Sequence, residues 1–195
     1  MRLVVGLGNP GERYARTRHN VAWRVLDTLA ERHRADTGED RQTFHTRRFQ
    51  TGDLEVVLME PLTFMNLSGD ALVQWREQHE LTDDELLVIT DDVYLSLGRL
   101  RIRAKGSSGG HRGLESIEAA LGHRDYARLR IGVDAAESSA GLKSHVLEEF
   151  APEEEPVLQA AVRQAADAVE CWVSQGTLAA MNQFNGKVRM EDSES

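Results

Sequence analysis

The chain has 195 residues, a mass of 21.8 kDa and 41% apolar residues, enough for one domain around one sizeable core. A single cysteine excludes a disulfide framework or a Cys-rich metal site, no apolar run approaches the roughly 20 residues that span a bilayer, and the opening Met-Arg-Leu-Val-Val-Gly turns to glycine too soon for a secretion signal. A cytoplasmic protein with no membrane role is therefore expected, and its net charge of −9, with a pI near 5.3, argues at first against a nucleic-acid partner.

In chain order, Leu3-Val4-Val5-Gly6-Leu7-Gly8 is a short apolar run ended by glycine and predicts a buried strand. Residues 9–19 are polar and turn-rich. Asn20 is placed to cap a helix whose face carries Ala22, Val25, Leu26 and Leu29. Residues 35–43 read as polar loop. Phe44–Gln50 and Leu54–Met59 flank Thr51-Gly52-Asp53, a hairpin signal. Asn66 to about His79 predicts a helix, with Leu67, Ala71, Leu72 and Trp75 on one face. Leu86–Ile89 predicts a central strand, and Leu100–Ala104 a strand with one basic face. A Gly/Ser loop over 106–110 precedes a short helix from Arg112 to Leu121, and Leu129–Val133 predicts another strand. A long helix over Glu153–Ser174 tolerates Pro156 in its first turn. A short helix follows over Leu178–Phe184, then an acidic tail over 188–195. Strands alternating with helices, interrupted by one hairpin, give an α/β fold: a single domain over residues 1–187, with a mixed, mostly parallel twisted sheet and helices packed on it. Cys171, beside Trp172 in the long helix, reads as a buried inert thiol.

The charge is not evenly spread. Residues 1–24 carry net +4, residues 25–95 net −10, residues 96–132 net +5 and residues 133–195 net −8. Two basic islands thus stand in an acidic chain, and if the fold brings them together they make one anion-attracting face.

Gly6-Leu7-Gly8-Asn9-Pro10-Gly11 fits the dinucleotide pattern G-x-G-x-x-G after a strand. That pattern needs a helix beginning inside the loop, with its N-terminus on the pyrophosphate. Here Asn-Pro and a polar stretch intervene, and the nearest acid, Asp27, falls in mid-helix. No nucleotide cofactor is expected. Other polar groups invite convergence. Asn9 follows the first strand, Asp91 and Asp92 follow a central strand, His19 ends the first basic loop, Met65-Asn66 begins a helix, and Gly109-Gly110-His111-Arg112 begins another. Loops feeding one sheet edge can join them. A histidine with a carboxylate partner is a general base of fixed tautomer, and with no G-x-S-x-G nucleophile the simplest chemistry is direct attack by water. Arg99, Arg101 and Arg103, with Lys105, would serve a phosphate-bearing part of the substrate. The alternative is ordinary structure: a structural His–Asp hydrogen bond, Asn66 as a helix cap, and glycines that only turn the chain.

The same residues carry a resemblance. Val5-Gly-Leu-Gly-Asn-Pro-Gly11 with Tyr14, Thr17-Arg-His-Asn20, Pro61-Leu-Thr-Phe-Met-Asn-Leu-Ser-Gly69, Val88-Ile-Thr-Asp-Asp92, Lys105-Gly-Ser-Ser-Gly-Gly-His111, Arg128-Leu-Arg-Ile-Gly132 and Met181-Asn-Gln-Phe-Asn185 run over nearly all of the chain. In that order they resemble the bacterial peptidyl-tRNA hydrolase family, which cuts the ester between a peptide and the 3′ ribose of its tRNA. The resemblance implies His19 as the catalytic base and Asp91 as the carboxylate that orients it. It implies Asn9 and Asn66 as amides binding the acyl end and the 3′-terminal adenosine, and Tyr14 and Met65 as residues of the same cleft. Arg101 and Arg103, with Arg130, would face tRNA phosphate. No metal and no cofactor are implied; the partner is peptidyl-tRNA, and a monomer is expected. Two residues depart from the family's pattern. Arg112 stands where an asparagine usually helps hold the water or the oxyanion, a donor that can contribute ~3 kcal/mol. Tyr94 stands where relatives often carry an acid. Arg112 leaves open a rival from another class, a non-catalytic RNA-binding relative like the organellar splicing factors.

Overall fold

The computed structural model describes residues 1–134 and 142–187; the expected tail over 188–195 lies outside the described residues. In chain order the elements are β1 (Arg2–Gly6), α1 (Val21–His33), β2 (Asp36–Asp40), β3 (Phe44–Thr51), β4 (Leu54–Pro61), α2 (Ser68–Arg76), β5 (Leu86–Asp92), β6 (Arg99–Arg103), α3 (Arg112–Leu121), β7 (Ala127–Gly132), α4 (Leu142–His145), α5 (Glu155–Gln175), α6 (Thr177–Phe184) and β8 (Gly186–Lys187).

The strands form one sheet in the order β2-β3-β4-β1-β5-β7-β6-β8. Its centre, β4-β1-β5-β7, is parallel, and antiparallel pairings extend it at both edges. Central strands with both faces covered must be apolar throughout, and β1 and β5 are buried along almost their whole length. Alternation divides β1 between two cores. Val4 joins Leu26 and Leu29 of α1 and Val169 and Trp172 of α5 on one face. Leu3 and Val5 join Leu72 and Trp75 of α2 and Leu114 and Ile117 of α3 on the other. The parallel centre places the ends of β1, β4, β5 and β7 at one sheet edge, where open α/β sheets bind ligands.

Several expectations change in detail. Residues 36–40, expected as loop, form edge strand β2 against β3. Asp36-Thr-Gly-Glu-Asp40 has no apolar alternation to reveal it, because an edge strand draws its order from ladder hydrogen bonds more than from burial. Asn20 occupies the N-cap position of α1, yet its side chain makes no capping bond. Asn66 lies in a 3-10 turn, Met65–Leu67, and caps neither that turn nor α2. Strand β5 runs on to include Asp91 and Asp92, so both carboxylates are fixed by the sheet rather than by a loop.

Candidate active site

His19 sits in a 3-10 turn, Arg18–Asn20, just before α1. The turn is pinned by residues distant in the sequence. The Arg18 guanidinium, buried over the Phe150 ring, donates to both carboxylate oxygens of Glu154 (3.0 and 2.6 Å) and to the Val133 carbonyl (3.1 Å). The backbone N–H of His19 donates to the Val146 carbonyl at 2.9 Å. The imidazole is therefore placed by its neighbours before any ligand arrives.

Asp91, buried at the end of β5, is shared by two histidines. His19 Nδ1–H donates to Asp91 Oδ1 at 2.8 Å, and His111 Nε2–H reaches the same oxygen at 2.9 Å and Thr90 Oγ1 at 2.6 Å. The Leu114 N–H donates to His111 Nδ1 at 3.3 Å, which fixes the His111 proton on Nε2. With Nδ1 of His19 committed to Asp91, Nε2 is left with its lone pair toward the cleft. Burial disfavours the imidazolium of His19, but the charge and hydrogen bond of Asp91 outweigh it and hold the pKa above the ordinary 6.5. Burial likewise works against the Asp91 carboxylate. Its two histidine partners overcome that and keep its pKa well below the usual range, so it is ionised throughout the working range. The side chains of His19, Asp91 and His111 lie close enough to suggest a metal site. Two N–H donors on one carboxylate oxygen are a hydrogen-bond arrangement, however, and leave no set of convergent lone pairs for a cation.

The cleft beside these residues has a volume of about 170 Å³, smaller than the roughly 300–1,000 Å³ of a pocket that encloses a whole small ligand. Among the expected site residues it brings together His19, Asp91, Arg112 and Arg130. Arg112, at the first position of α3, is exposed and has no hydrogen-bond or ion-pair partner among the described residues. Arg130 is tied down within the chain: Nη1 donates to Asp92 Oδ2 (3.1 Å) and Nη2 to the Ser107 and Ser108 carbonyls (both 2.9 Å). Two residues earlier on the same face, buried Arg128 holds the Gly106 carbonyl at 2.7 Å. Alternate arginines of β7 thus hold successive carbonyls of the Gly/Ser loop and lead it back to His111.

Asn9 and Met65 form an adjoining group. Asn20 grips the Asn9 backbone, accepting from its N–H and donating to its carbonyl, both at 2.9 Å. The Met65 N–H donates to Asn9 Oδ1 at 2.9 Å, which fixes the amide and leaves Nδ2 as its donor. Gly113 lets this group meet His111: a Cβ there would lie 2.5 Å from Met65 Sδ and 3.1 Å from His111 Cε1. Asn66 is exposed next to Met65, and Tyr14 is half-buried in its own 3-10 turn, beneath the Arg13 guanidinium. Arg101, Arg103 and Lys105 do not line the cleft. They stand exposed on β6 and just beyond it, and Arg101 pairs across the ladder with Arg130, so the row begins at the cleft margin. Sequence reasoning brings His111 into the converging set without giving it a role, and does not single out Arg18 as a site residue. Gly-Gly-His was visible as a motif, but only the fold shows that its histidine and His19 share one carboxylate.

An α/β sheet with a carboxylate-held histidine lining a cleft is an arrangement that can supply a general base for hydrolysis. The chain belongs to the peptidyl-tRNA hydrolase family, whose profile matches residues 3–192. It is 44% identical over 185 residues to the peptidyl-tRNA hydrolase of Syntrophomonas wolfei, covering 95% of this chain and all of that one (100%). It is 45% identical over 186 residues to that of Chloroflexus aggregans, covering 95% and 99%. The crystal structure of peptidyl-tRNA hydrolase from Acinetobacter baumannii superposes with a TM-score of 0.89 at 30% identity, over 96% of each chain.

Proposed function

We propose that this chain hydrolyses the ester between peptide and tRNA in peptidyl-tRNA, releasing both for reuse, and that it does so in the cytoplasm as a monomer without metal or cofactor. The observation that carries the reading is the His19–Asp91 pair: Nδ1 is held at 2.8 Å and Nε2 is left to the cleft. His19 Nε2 removes a proton from water as its oxygen attacks the ester carbonyl carbon. Asp91 stabilises the imidazolium that forms. When the tetrahedral intermediate collapses, the bond to the ribose 3′ oxygen breaks, and His19 returns the proton to that oxygen. The N–H groups at the start of α3 serve as donors to the developing oxyanion, and Arg112, in place of the asparagine common in relatives, lies beside the tRNA arm of the ester. Asn9, through its free Nδ2, and Asn66 hold the acyl end and the terminal adenosine, with Tyr14 and Met65 shaping the same surface. Arg101, Arg103 and Lys105 meet the phosphates. Arg130 serves from within the chain, by fixing the loop beside them.

The test is release of N-acetyl-aminoacyl groups from charged tRNA by the purified protein. Wild type is expected to turn over, and a folded His19→Ala variant to lose roughly 10²–10⁴-fold in kcat, the usual worth of a general base. Salt-sensitive tRNA binding with no deacylation would instead favour the RNA-binding rival. A His19→Ala variant with normal turnover would remove His19 as the base.

A further inference from the structure

The lining of the cleft divides by chemistry. Its cations come from the start of α3 and from β7: Arg112, unpaired, and Arg130. Its apolar groups come from the loop after β5 and from residue 146: Val93, Tyr94 and Val146. Tyr94 is the outlier among them. It is 70% exposed, a large aromatic surface left in water at the rim of a catalytic cleft. Burial of such a ring against a ligand is favourable, and its two rotatable side-chain bonds cost little to order.

The Tyr94 backbone is held in place. Its N–H donates to Asp92 Oδ1 at 2.8 Å, while Asp92 Oδ2 accepts from Arg130 Nη1 at 3.1 Å. The Leu95 N–H closes a turn on the Asp92 carbonyl at 3.3 Å. The ring is therefore presented from a loop anchored to the same strand end that carries Asp91. Val146 is equally fixed relative to the base, because its carbonyl takes the His19 N–H.

Substrate geometry then sorts the two linings. An ester of tRNA has two arms on its carbonyl carbon. One is polyanionic and belongs with the unpaired guanidinium. The other begins with an α-carbon one bond from the reacting atom. With the carbonyl carbon near His19 Nε2 and the acyl amide held by Asn9, the side chain on that α-carbon is left to the apolar groups of the cleft lining, Val93, Tyr94 and Val146. We propose that Tyr94, with Val93 and Val146, forms a subsite for the side chain of the amino acid esterified to tRNA, and that the subsite favours aromatic and large aliphatic residues. The inference rests on the hydrolase reading above and adds to it a specificity-determining residue, Tyr94, that acts through contact with the acyl side chain.

The test uses one tRNA body charged in turn with N-acetyl-glycine, N-acetyl-aspartate, N-acetyl-leucine and N-acetyl-phenylalanine. kcat/KM is measured for each and corrected for that ester's spontaneous hydrolysis. Wild type is expected to favour phenylalanine over glycine by about tenfold or more. Tyr94→Ala is expected to cut that ratio about three- to tenfold, and Tyr94→Phe to keep it. The ratio is immune to a partly unfolded preparation, which lowers every substrate alike. A wild-type ratio near one, or a ratio untouched by Tyr94→Ala, overturns the subsite. A uniform loss for all four esters in Tyr94→Ala leaves the ratio untouched and so overturns the subsite in the same way. If wild type releases no acyl group from any of the four, the hydrolase reading itself fails, an outcome distinct from hydrolysis without preference.

Discussion

At the residue scale the site turns on one buried carboxylate with two imidazoles. Desolvation alone would lower the His19 pKa and raise that of Asp91; their mutual attraction reverses both. The sign of the pH dependence follows. If His19 is the base, as proposed, it must be neutral, so kcat/KM is expected to fall as pH drops through its folded-state pKa, which lies above 6.5. Asp91 remains ionised through that range, and its own contribution to stability disappears only as pH falls through its lowered pKa. Asp91→Asn removes the charge but keeps the shape. Burial then prevails at His19, so the acidic limb of the kcat/KM profile should move to lower pH. The plateau should fall by about 10²–10⁴-fold, because the amide neither stabilises the imidazolium nor enforces the tautomer. A pH–rate profile of wild type and variant checks both effects. An acidic limb that stays in place would mean that another group is being titrated.

At the element scale, one glycine sets how closely two helices on one sheet face approach. The Gly69 N–H on α2 donates to Ser116 Oγ on α3 at 2.9 Å, and a Cβ on Gly69 would lie 2.2 Å from the Ser116 carbonyl oxygen. Backbone cannot yield as a flexible side chain can, so Gly69→Ala must push the helices apart. The expected cost is about 1–3 kcal/mol by denaturant titration. A drop in kcat should accompany it, because His111 caps α3 and α2 follows the turn that carries Met65 and Asn66. A variant as stable as wild type would show that this crossing has slack. The same elements show what could be read from sequence. Buried strands β1 and β5, the hairpin of β3 and β4, and α5 announce themselves, because continuous or periodic apolar residues can only be satisfied one way. Edge strands β2 and β8 do not, since ladder hydrogen bonds leave no mark on composition. In the site, Asn9, His19 and Asp91 are legible as motif residues, yet the roles of Asn20 and Arg18 are not. Asn20 forgoes the cap to hold Asn9, eleven residues away, and Arg18 pairs with a glutamate 136 residues on. Such partners are fixed by tertiary packing, not by local spacing.

At the scale of the whole molecule, the question is how a chain of net charge −9 holds a polyanion. Two basic islands were expected to make one face. The fold treats them differently. In the first, Arg16, Arg18 and Arg24 are paired with Glu149, Glu154 and Glu155, so most of its charge is answered by the acidic segment before and at the start of α5. In the second, Arg99, Arg101, Arg103 and Lys105 have no carboxylate partner among the described residues, and Arg112 stands likewise unpaired in the cleft. Across the ladder Arg101 faces Arg130 and Arg103 faces Arg128, so these cations share the sheet face that leads to His111. Attraction is therefore local, and the acidic remainder disfavours contact elsewhere. Each phosphate neutralised releases counterions, so tRNA affinity should fall linearly on a log–log plot against salt. Arg101→Ala and Arg103→Ala should each reduce the magnitude of that slope by about one, and together by about two. The loss should appear in KM for tRNA far more than in kcat, since neither residue lines the cleft where bonds change. An Arg16→Ala variant serves as the contrast: its guanidinium is already paired with Glu149, so the slope should stay where it was. If Arg16→Ala flattens the slope as much as Arg101→Ala, the first island also meets tRNA, and the ion pairs seen in the free protein must open to let it bind.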